Sequence, residues 1–230
     1  MKRLESVERA RGGPARIQIY AALRSAIVRG DLSPGAQLSE NALSAEMGVS
    51  RTPIREALAR LRDDRLIEIV PQLGTFVARI SDQAVSDAQF IREALECAAV
   101  RLTAEIVTEE NISELESNLE AQARAVTAED YDAFYLLDDA FHRDLTTLSG
   151  HQTIWSVSER AEPHLNRVRR LTPVVPGYLD ELVAQHRTVL TAVADHDADR
   201  SEASLRHHHR MVLAQLSQLR RRHPDFFDGV

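Results

Sequence analysis

Titratable side chains interrupt the apolar stripes of three predicted helices in the C-terminal half of the chain. The helices are predicted over 130–149, 178–195 and 199–222 from the spacing of their apolar residues. The four side chains that fall on the inner side of these helices are Asp138, His142, His186 and His208. An aspartate at such a position is costly to bury unless it is paired or binds a metal.

Each of these residues also has a simpler interpretation. Asp138 and His142 are four residues apart and could form a local ion pair. A single buried histidine is commonly a hydrogen-bonded structural residue, and the triplet His207-His208-His209 could be a solvated cluster. Taken together, however, four inward Asp and His groups on three helices are a set that a helical bundle can gather around one cation. Three neutral imidazoles and one carboxylate suit Zn²⁺, which we expect, with Ni²⁺ or Mn²⁺ as alternatives.

Four protein ligands leave up to two positions of an octahedral metal free, and a carboxylate effector could fill them. Cationic or amide side chains nearby would then fix the orientation of the effector. The candidates for this role are Arg92, Asn166 and Arg169. The alternative is that Arg92 pairs with Glu96 and that the arginines over 167–170 are a solvated run.

The helices that carry these residues belong to a series without any strand pattern, which predicts an all-α bundle. Short breaks divide the series into six predicted helices, over 82–107, 111–127, 130–149, 151–171, 178–195 and 199–222.

The N-terminal third of the chain has a different pattern. A helix is predicted over 17–29, and two further helices, one ending at Met47 and one beginning at Ser50, are joined by a short turn containing Gly48, which is typical of a helix-turn-helix. Two β-rich runs then flank the turn Pro71–Gly74 and predict a hairpin. The fold class is therefore mainly α: an N-terminal winged helix-turn-helix followed by an all-α six-helix bundle.

Charge and composition support two parts with different partners. The 230 residues carry a formal net charge of −7, but residues 1–79 hold 13 Lys+Arg against 9 Asp+Glu (+4), and residues 80–230 hold 15 against 26 (−11). A basic head on an acidic body favours binding of a polyanion by the head. We expect a flexible tail over 1–16, a DNA-binding domain over 17–79 and an effector-binding and dimerisation domain over 80–230. The single cysteine and the lack of a long apolar run predict a cytoplasmic protein without membrane contact.

Residues 17–79 resemble the DNA-binding domain of the GntR family of bacterial transcription regulators. The motifs that carry the resemblance are Leu38-Ser39-Glu40 with Leu43, GVSRTPIREAL over 48–58, Leu66-Ile67 and GTFVA over 74–78. The resemblance implies that Arg51, Thr52 and Arg55 contact bases and phosphates, and that Gln72 and Gly74 of the wing touch the groove edge. Asn41, where some members have an arginine, is a further candidate contact. One departure is Arg65, where the family usually has glycine.

Residues 82–220 resemble the ligand-sensing FCD domain of the FadR subfamily. The matching residues are Arg92-Glu93-Ala94-Leu95-Glu96, Asp138-x-x-Phe141-His142, Ser149-Gly150, His186 with Leu190 and Ala192, and His208. The resemblance implies that Asp138, His142, His186 and His208 are metal ligands, and the spacing of 22 residues from His186 to His208 selects His208 from the triplet. Six helices favour the shorter, VanR-like type of this domain.

These resemblances imply a metabolite-responsive transcription regulator rather than an enzyme. The expected protein is a homodimer that binds a palindromic operator on double-stranded DNA and represses a catabolic operon until a small organic or sugar acid binds at the metal. Two alternatives stay open: the same regulator with a purely structural metal, and a metal-dependent hydrolase in which the His/Asp site activates water.

Overall fold

The computed structural model describes residues 14–229. The predicted tail over 1–16 lies outside the described residues as far as residue 13. Its last two residues, Ala15 and Arg16, are already helical, so the predicted start of the first helix at Ile17 was two residues late. The chain forms two compact units, which are described separately. Unit 1 contains residues up to 85 together with 163–170 and from 218 onwards, and unit 2 contains 86–162 and 171–217.

Three helices form the core of unit 1: α1 (Ala15–Arg29), α2 (Glu40–Met47) and α3 (Arg51–Asp63). The Ser39 side chain accepts a hydrogen bond from the Ala42 amide and caps α2, which satisfies one of the free N–H groups of the first turn. Gly48 adopts a left-handed conformation with φ 66° and ends α2 just before α3. The apolar faces meet in one buried cluster that includes Ile19, Leu23, Ile54, Leu61 and Leu66.

A two-stranded hairpin follows α3. Strands β1 (Ile67–Val70) and β2 (Gly74–Val77) are antiparallel, and Val70 pairs with Gly74 at the closed end. Gly74 has a φ of 129°, and a Cβ at this position would lie 2.9 Å from the Gln37 amide nitrogen. The backbone angle therefore favours glycine here, and a larger residue would also displace the end of the Gln37 side chain. The predicted winged helix-turn-helix is confirmed.

The remaining helices are α4 (Asp82–Ile106), α5 (Glu109–Thr127), α6 (Tyr131–Leu148), α7 (Ile154–Ala161), α8 (Pro163–Leu171), α9 (Tyr178–Ala194) and α10 (Ala198–Arg222). The predicted helix over 151–171 is thus two helices. Pro163 has no amide hydrogen and disfavours a helical residue before it, so α7 ends at Ala161 and α8 begins at the proline itself. Between residues 82 and 222, all of which the structure describes, there are seven α-helices, not the predicted six.

Unit 2 is built around α5, which packs against α6 and α9. One apolar cluster includes Phe141, Leu145 and Val189, and a second includes Phe134 and Leu182. These two clusters hold α6 and α9 face to face, so side chains between them on the same helix faces are enclosed. None of the described helices is long and apolar enough to cross a membrane.

Unit 1 also contains chain segments that are distant in sequence. Ile80 forms a parallel bridge with Phe227, and its amide donates to the Phe226 carbonyl at 2.7 Å. Residues 163–170, the greater part of α8, also belong to unit 1. Sequence order predicted a division near residue 79, whereas the compact units are discontinuous along the chain. These late segments contact the chain between the wing and α4.

Candidate metal centre and DNA-binding surface

Three histidines from three helices of unit 2 converge on one point. Nε2 of His208 lies 3.2 Å from Nε2 of His186 and 3.2 Å from Nε2 of His142. The three side chains are buried, with exposed fractions of 0% for His142 and His186 and 6% for His208. Helix α6 supplies His142, α9 supplies His186 and α10 supplies His208, as the apolar spacing of these helices predicted.

The outer nitrogen of each of the three rings faces an oxygen atom. Nδ1 of His186 lies 2.9 Å from Oε1 of Gln122, and Nδ1 of His208 lies 3.3 Å from Oε1 of Gln185. Nδ1 of His142 lies 2.9 Å from a carboxylate oxygen of Glu96. Because each oxygen favours a proton on the Nδ1 atom beside it, the three Nε2 atoms keep their lone pairs and direct them at one another.

Lone pairs on nitrogen atoms 3.2 Å apart, as in the pairs His208–His186 and His208–His142, repel one another unless a cation lies between them. Burial and the neighbouring imidazoles hold the pKa of His208 well below its usual range, which keeps this ring neutral and able to bind a metal. At metal–nitrogen distances of about 2.0–2.1 Å, adjacent ligand atoms are roughly 2.8–3.0 Å apart in an octahedral site and roughly 3.3–3.4 Å apart in a tetrahedral site. The observed separations of 3.2 Å fit a transition-metal site of this kind.

Asp138 lies beside His186. Its Oδ1 atom is 3.5 Å from Nε2 of His186, and the residue is 2% exposed. A buried carboxylate at this position supplies negative charge, which stabilises a divalent cation among neutral imidazoles. The structure therefore brings the three predicted histidines within ligand distance of one another and places Asp138 next to His186. Their role as ligands and the identity of the metal stay predictions.

Glu96 is a functional candidate that the sequence interpretation treated only as a partner of Arg92. Its carboxylate contacts three groups: Arg92 Nε at 2.9 Å, His142 Nδ1 at 2.9 Å and His209 Nε2 at 3.2 Å. Although complete burial acts in the opposite direction, the positive charge of Arg92 and the two imidazoles hold the pKa of Glu96 well below its usual value. In many metal sites a carboxylate binds the outer nitrogen of a metal-binding histidine and orients its ring, and Glu96 is placed to do this for His142.

The structure separates the roles of two adjacent histidines. His208 faces His142 and His186, whereas His209 faces Glu96. Burial lowers the pKa of His209 to about 4. His209 thus belongs to the layer around Glu96 rather than to the three converging Nε2 atoms. Gln122 likewise contacts a histidine of the cluster, His186, from outside. The sequence indicates that Gln122 is buried, since it continues the apolar stripe of Leu115 and Leu119.

The effector role of Arg92, Asn166 and Arg169 stays a prediction, and the structure gives each of them a partner within the protein. Arg92 is 4% exposed and pairs with Glu96, which is the alternative that the sequence left open, and its Nε also lies 3.6 Å from Glu162. Asn166 accepts a hydrogen bond from Arg169 at 2.6 Å. Both residues lie in the α8 segment of unit 1, whereas the histidines lie in unit 2.

The predicted DNA contacts lie on the surface of unit 1. Arg51, Thr52 and Arg55 are exposed on the first turns of α3, and Asn41 is exposed on α2. In the wing, Gln72 is exposed and Gly74 is half-buried. An exposed helix N-terminus with two arginines and a hydroxyl is suited to the major groove.

Glu40 of α2 was not among the predicted contacts, yet it pairs with both arginines. Its Oε2 atom lies 2.7 Å from Arg55 Nε and 3.1 Å from Arg51 Nη2. The hydrogen bond from Arg55 contributes most to a lowered pKa of the Glu40 carboxyl. Because exposed ion pairs contribute little free energy, phosphates or bases can replace Glu40 as the partner of these arginines at small cost.

We expect Glu40→Gln to raise the affinity for non-operator DNA by about two- to fivefold, since it removes a negative charge that competes with phosphate. Fluorescence anisotropy with operator and scrambled duplexes at two salt concentrations measures this change. Glu46→Gln, which removes the same charge near the other end of α2, serves as the control. An unchanged affinity for the scrambled duplex would show that Glu40 does not compete with phosphate.

Comparisons with known proteins agree with this arrangement. Residues 15–77 match the family described as bacterial regulatory proteins of the gntR family, and residues 87–211 match the FCD domain. The chain is 39% identical over 219 residues to an uncharacterised HTH-type transcriptional regulator from an unstable DNA locus of Streptomyces ambofaciens, covering 94% of this chain and 91% of that protein. It is 36% identical over 214 residues to the HTH-type transcriptional repressor RspR of Escherichia coli K12, covering 93% and 94%. The solved structure of McbR/YncC from E. coli has the same fold, with a TM-score of 0.77 at 23% identity over 90% of this chain and 99% of that one.

Proposed function

The chain belongs to the GntR family of bacterial regulatory proteins and is a DNA-binding transcription regulator with an FCD domain, and we propose that it is a repressor whose operator affinity is set by a small acid bound at the metal centre of unit 2. Family and relatives are regulators rather than enzymes, so the hydrolase alternative is not retained. The observation that carries the proposal is the convergence of three imidazoles in a buried core.

Operator binding is proposed to involve two copies of the chain. One chain presents one α3 helix with its exposed arginines, and a helix of this kind reads only one half-site. A palindromic operator of two half-sites therefore calls for a homodimer. The repressor name of RspR, which is 36% identical to this chain, supports repression rather than activation.

A carboxylate ligand is proposed because the protein supplies at most four ligand atoms. Three imidazoles and the Asp138 carboxylate leave positions free on a six-coordinate cation, and the carboxylate of a small organic or sugar acid suits a hard or borderline metal. The metal would supply the charge that binds the acid. The protein's own contribution is to hold the rings in one tautomer, through Glu96, Gln122 and Gln185.

A purely structural metal is the second candidate. It is favoured by the burial of all four ligands, none of which is more than 6% exposed. In that case the metal stabilises unit 2 by holding α6, α9 and α10 together, and no acid changes the affinity for DNA.

A thermal-shift screen of sugar acids and dicarboxylates with Zn²⁺-loaded protein separates the two candidates. A ligand of the native state must raise the melting temperature, because its binding increases the free energy of unfolding. At a hundredfold excess over Kd this increase is about 2.7 kcal/mol. Each acid that raises Tm is then tested for release of the operator in an anisotropy titration. If no acid raises Tm, or if the acids that do so leave operator affinity unchanged, the sensing proposal fails and the structural metal is favoured.

A further inference from the structure

Helix α8 carries two buried side chains that hold the backbone of the DNA-binding unit. His164 is 4% exposed and Arg167 is 3% exposed. Both lie in the part of α8 that belongs to unit 1, although the chain reaches this segment only after 77 residues of unit 2, over 86–162. Burying polar side chains to this extent costs free energy of hydration unless hydrogen bonds within the protein offset the loss.

His164 contacts the backbone just after α3 and just before α4. Its Nε2 atom lies 2.9 Å from the Arg65 carbonyl oxygen, and its Nδ1 atom accepts a hydrogen bond from the Ser81 amide at 3.1 Å. Since Nδ1 is an acceptor, the proton of the neutral ring is on Nε2, which donates to the carbonyl. Both nitrogens are used, so the ring has one tautomer and one orientation.

The backbone that His164 holds at Arg65 is strained. Arg65 has a φ of 59°, which for a residue with a Cβ costs roughly 1–2 kcal/mol relative to the right-handed region. A hydrogen bond from a buried ring to the carbonyl of the strained residue offsets part of this cost, and it fixes the turn between α3 and β1.

Arg167 holds the exit of the wing in a similar way. Its Nη1 atom donates to the Ala78 carbonyl at 2.8 Å, one residue beyond β2, and burial lowers the pKa of the guanidinium to about 10. His164 and Arg167 thus bond to the backbone at both ends of the hairpin, at Arg65 before β1 and at Ala78 after β2. A displacement of α8 would therefore act on the turn after the recognition helix and on the wing together.

The residue that immediately precedes α8 belongs to the polar network of unit 2. Glu162 is 1% exposed, and its Oε1 atom lies 3.6 Å from Arg92 Nε. Arg92 contacts Glu96 at 2.9 Å, and Glu96 contacts His142 at 2.9 Å. Buried side chains of opposite charge therefore connect the histidine cluster, step by step, to Glu162. Pro163 alone separates Glu162 from His164 in the chain.

We propose that Glu162 couples the histidine cluster to the DNA-binding unit. A change in the positions of Glu96 and His142 moves Arg92, which holds Glu162. The peptide link through Pro163 then passes the movement of Glu162 to His164 and Arg167. The fixed φ of proline makes this link short and stiff. The inference rests on the metal-centred sensing proposed above and adds a route for it. Glu162 is a positioning residue and contacts neither metal nor DNA.

Glu162→Gln tests the route, because the amide keeps the size of the side chain and loses the charge that Arg92 attracts. Operator affinity is measured by fluorescence anisotropy for full-length protein stripped with chelator and for protein reloaded with Zn²⁺ alone. Allosteric coupling is commonly about 5–150-fold, so we expect the wild-type affinities to differ by a factor in this range. The variant should bind the same amount of Zn²⁺ by elemental analysis, and its two operator affinities should agree within about twofold.

Glu159→Gln is the matched control, since it removes the same charge from the exposed side of α7, and it should keep the wild-type ratio. Melting curves with a midpoint within a few degrees of wild type establish that the variant is folded. A variant that keeps the full wild-type ratio overturns the coupling role of Glu162 and leaves the sensing function standing. A wild-type ratio of one overturns the coupling of the metal to operator affinity, whereas the sensing of an acid is decided separately by the thermal-shift screen.

Discussion

Arg55→Ala is expected to abolish specific operator binding and to leave the metal content of the protein unchanged. Arg55 is exposed near the start of α3, where it forms an ion pair with Glu40. A good side-chain contact to a base contributes about 1–3 kcal/mol. Two half-sites double this loss to about 2–6 kcal/mol, which is about a thirtyfold to 10⁴-fold weaker affinity. A gel shift with operator DNA and elemental analysis of the same preparation measure both properties.

Arg62→Ala provides the control for this variant. Arg62 is also exposed on α3, but it lies in the last turn and pairs with Asp63. It should lose only the part of the affinity that comes from general attraction to phosphate, and less of that than Arg55 loses. Operator affinity retained in Arg55→Ala would refute the assignment of α3 as the recognition helix.

His186→Ala should remove the metal and with it a large part of the stability of unit 2. His186 is fully buried, and its two ring nitrogens face Gln122 and His208. A metal present at a thousandfold excess over Kd contributes about 4 kcal/mol to the native state, which corresponds to about 8–16 °C in Tm for a chain of this size. The lost packing against Phe141, whose ring centroid is 4.7 Å from that of His186, lowers Tm further.

Chelation separates the two contributions to this loss. Wild-type protein should melt at a lower temperature after treatment with a chelator, whereas the melting temperature of His186→Ala should not respond, since no metal remains to be removed. His151→Ala, which truncates an exposed histidine, should behave as wild type. One bound metal per chain in His186→Ala, with an unchanged response to the chelator, would exclude His186 as a ligand.

The positions of the four proposed ligands could be predicted from sequence because helices have a fixed period. Asp138 and His142 lie on one face of any helix, and the apolar residues around His186 and His208 show that their faces are buried. The winged helix-turn-helix could be predicted for a related reason, since Gly48 marks the turn between its helices and the turn before Gly74 marks the hairpin. These are local signals, and the structure confirms the elements that they predict.

What could not be predicted depends on contacts between residues far apart in sequence. Glu96 and Gln122 hold His142 and His186 through contacts over 46 and 64 positions, and nothing in the local pattern names such partners. The division of 151–171 into two helices is different, because Pro163 is a local signal for a break in the helix. The effector roles of Asn166 and Arg169 stay predictions, and most of α8, which carries both residues, belongs to unit 1.

The discontinuous composition of unit 1 has a consequence for protein engineering. One way to engineer a regulator of this architecture is domain exchange. The DNA-binding domain of one regulator is fused to the effector-binding domain of another at the linker near residue 80. Here such a junction would separate Ala78 and Arg65 from the Arg167 and His164 side chains that bond to them, and Ile80 from Phe227. A chimeric biosensor built from this chain therefore has to carry the α8 segment and the C-terminal residues along with its head, or to recreate their contacts in the new host.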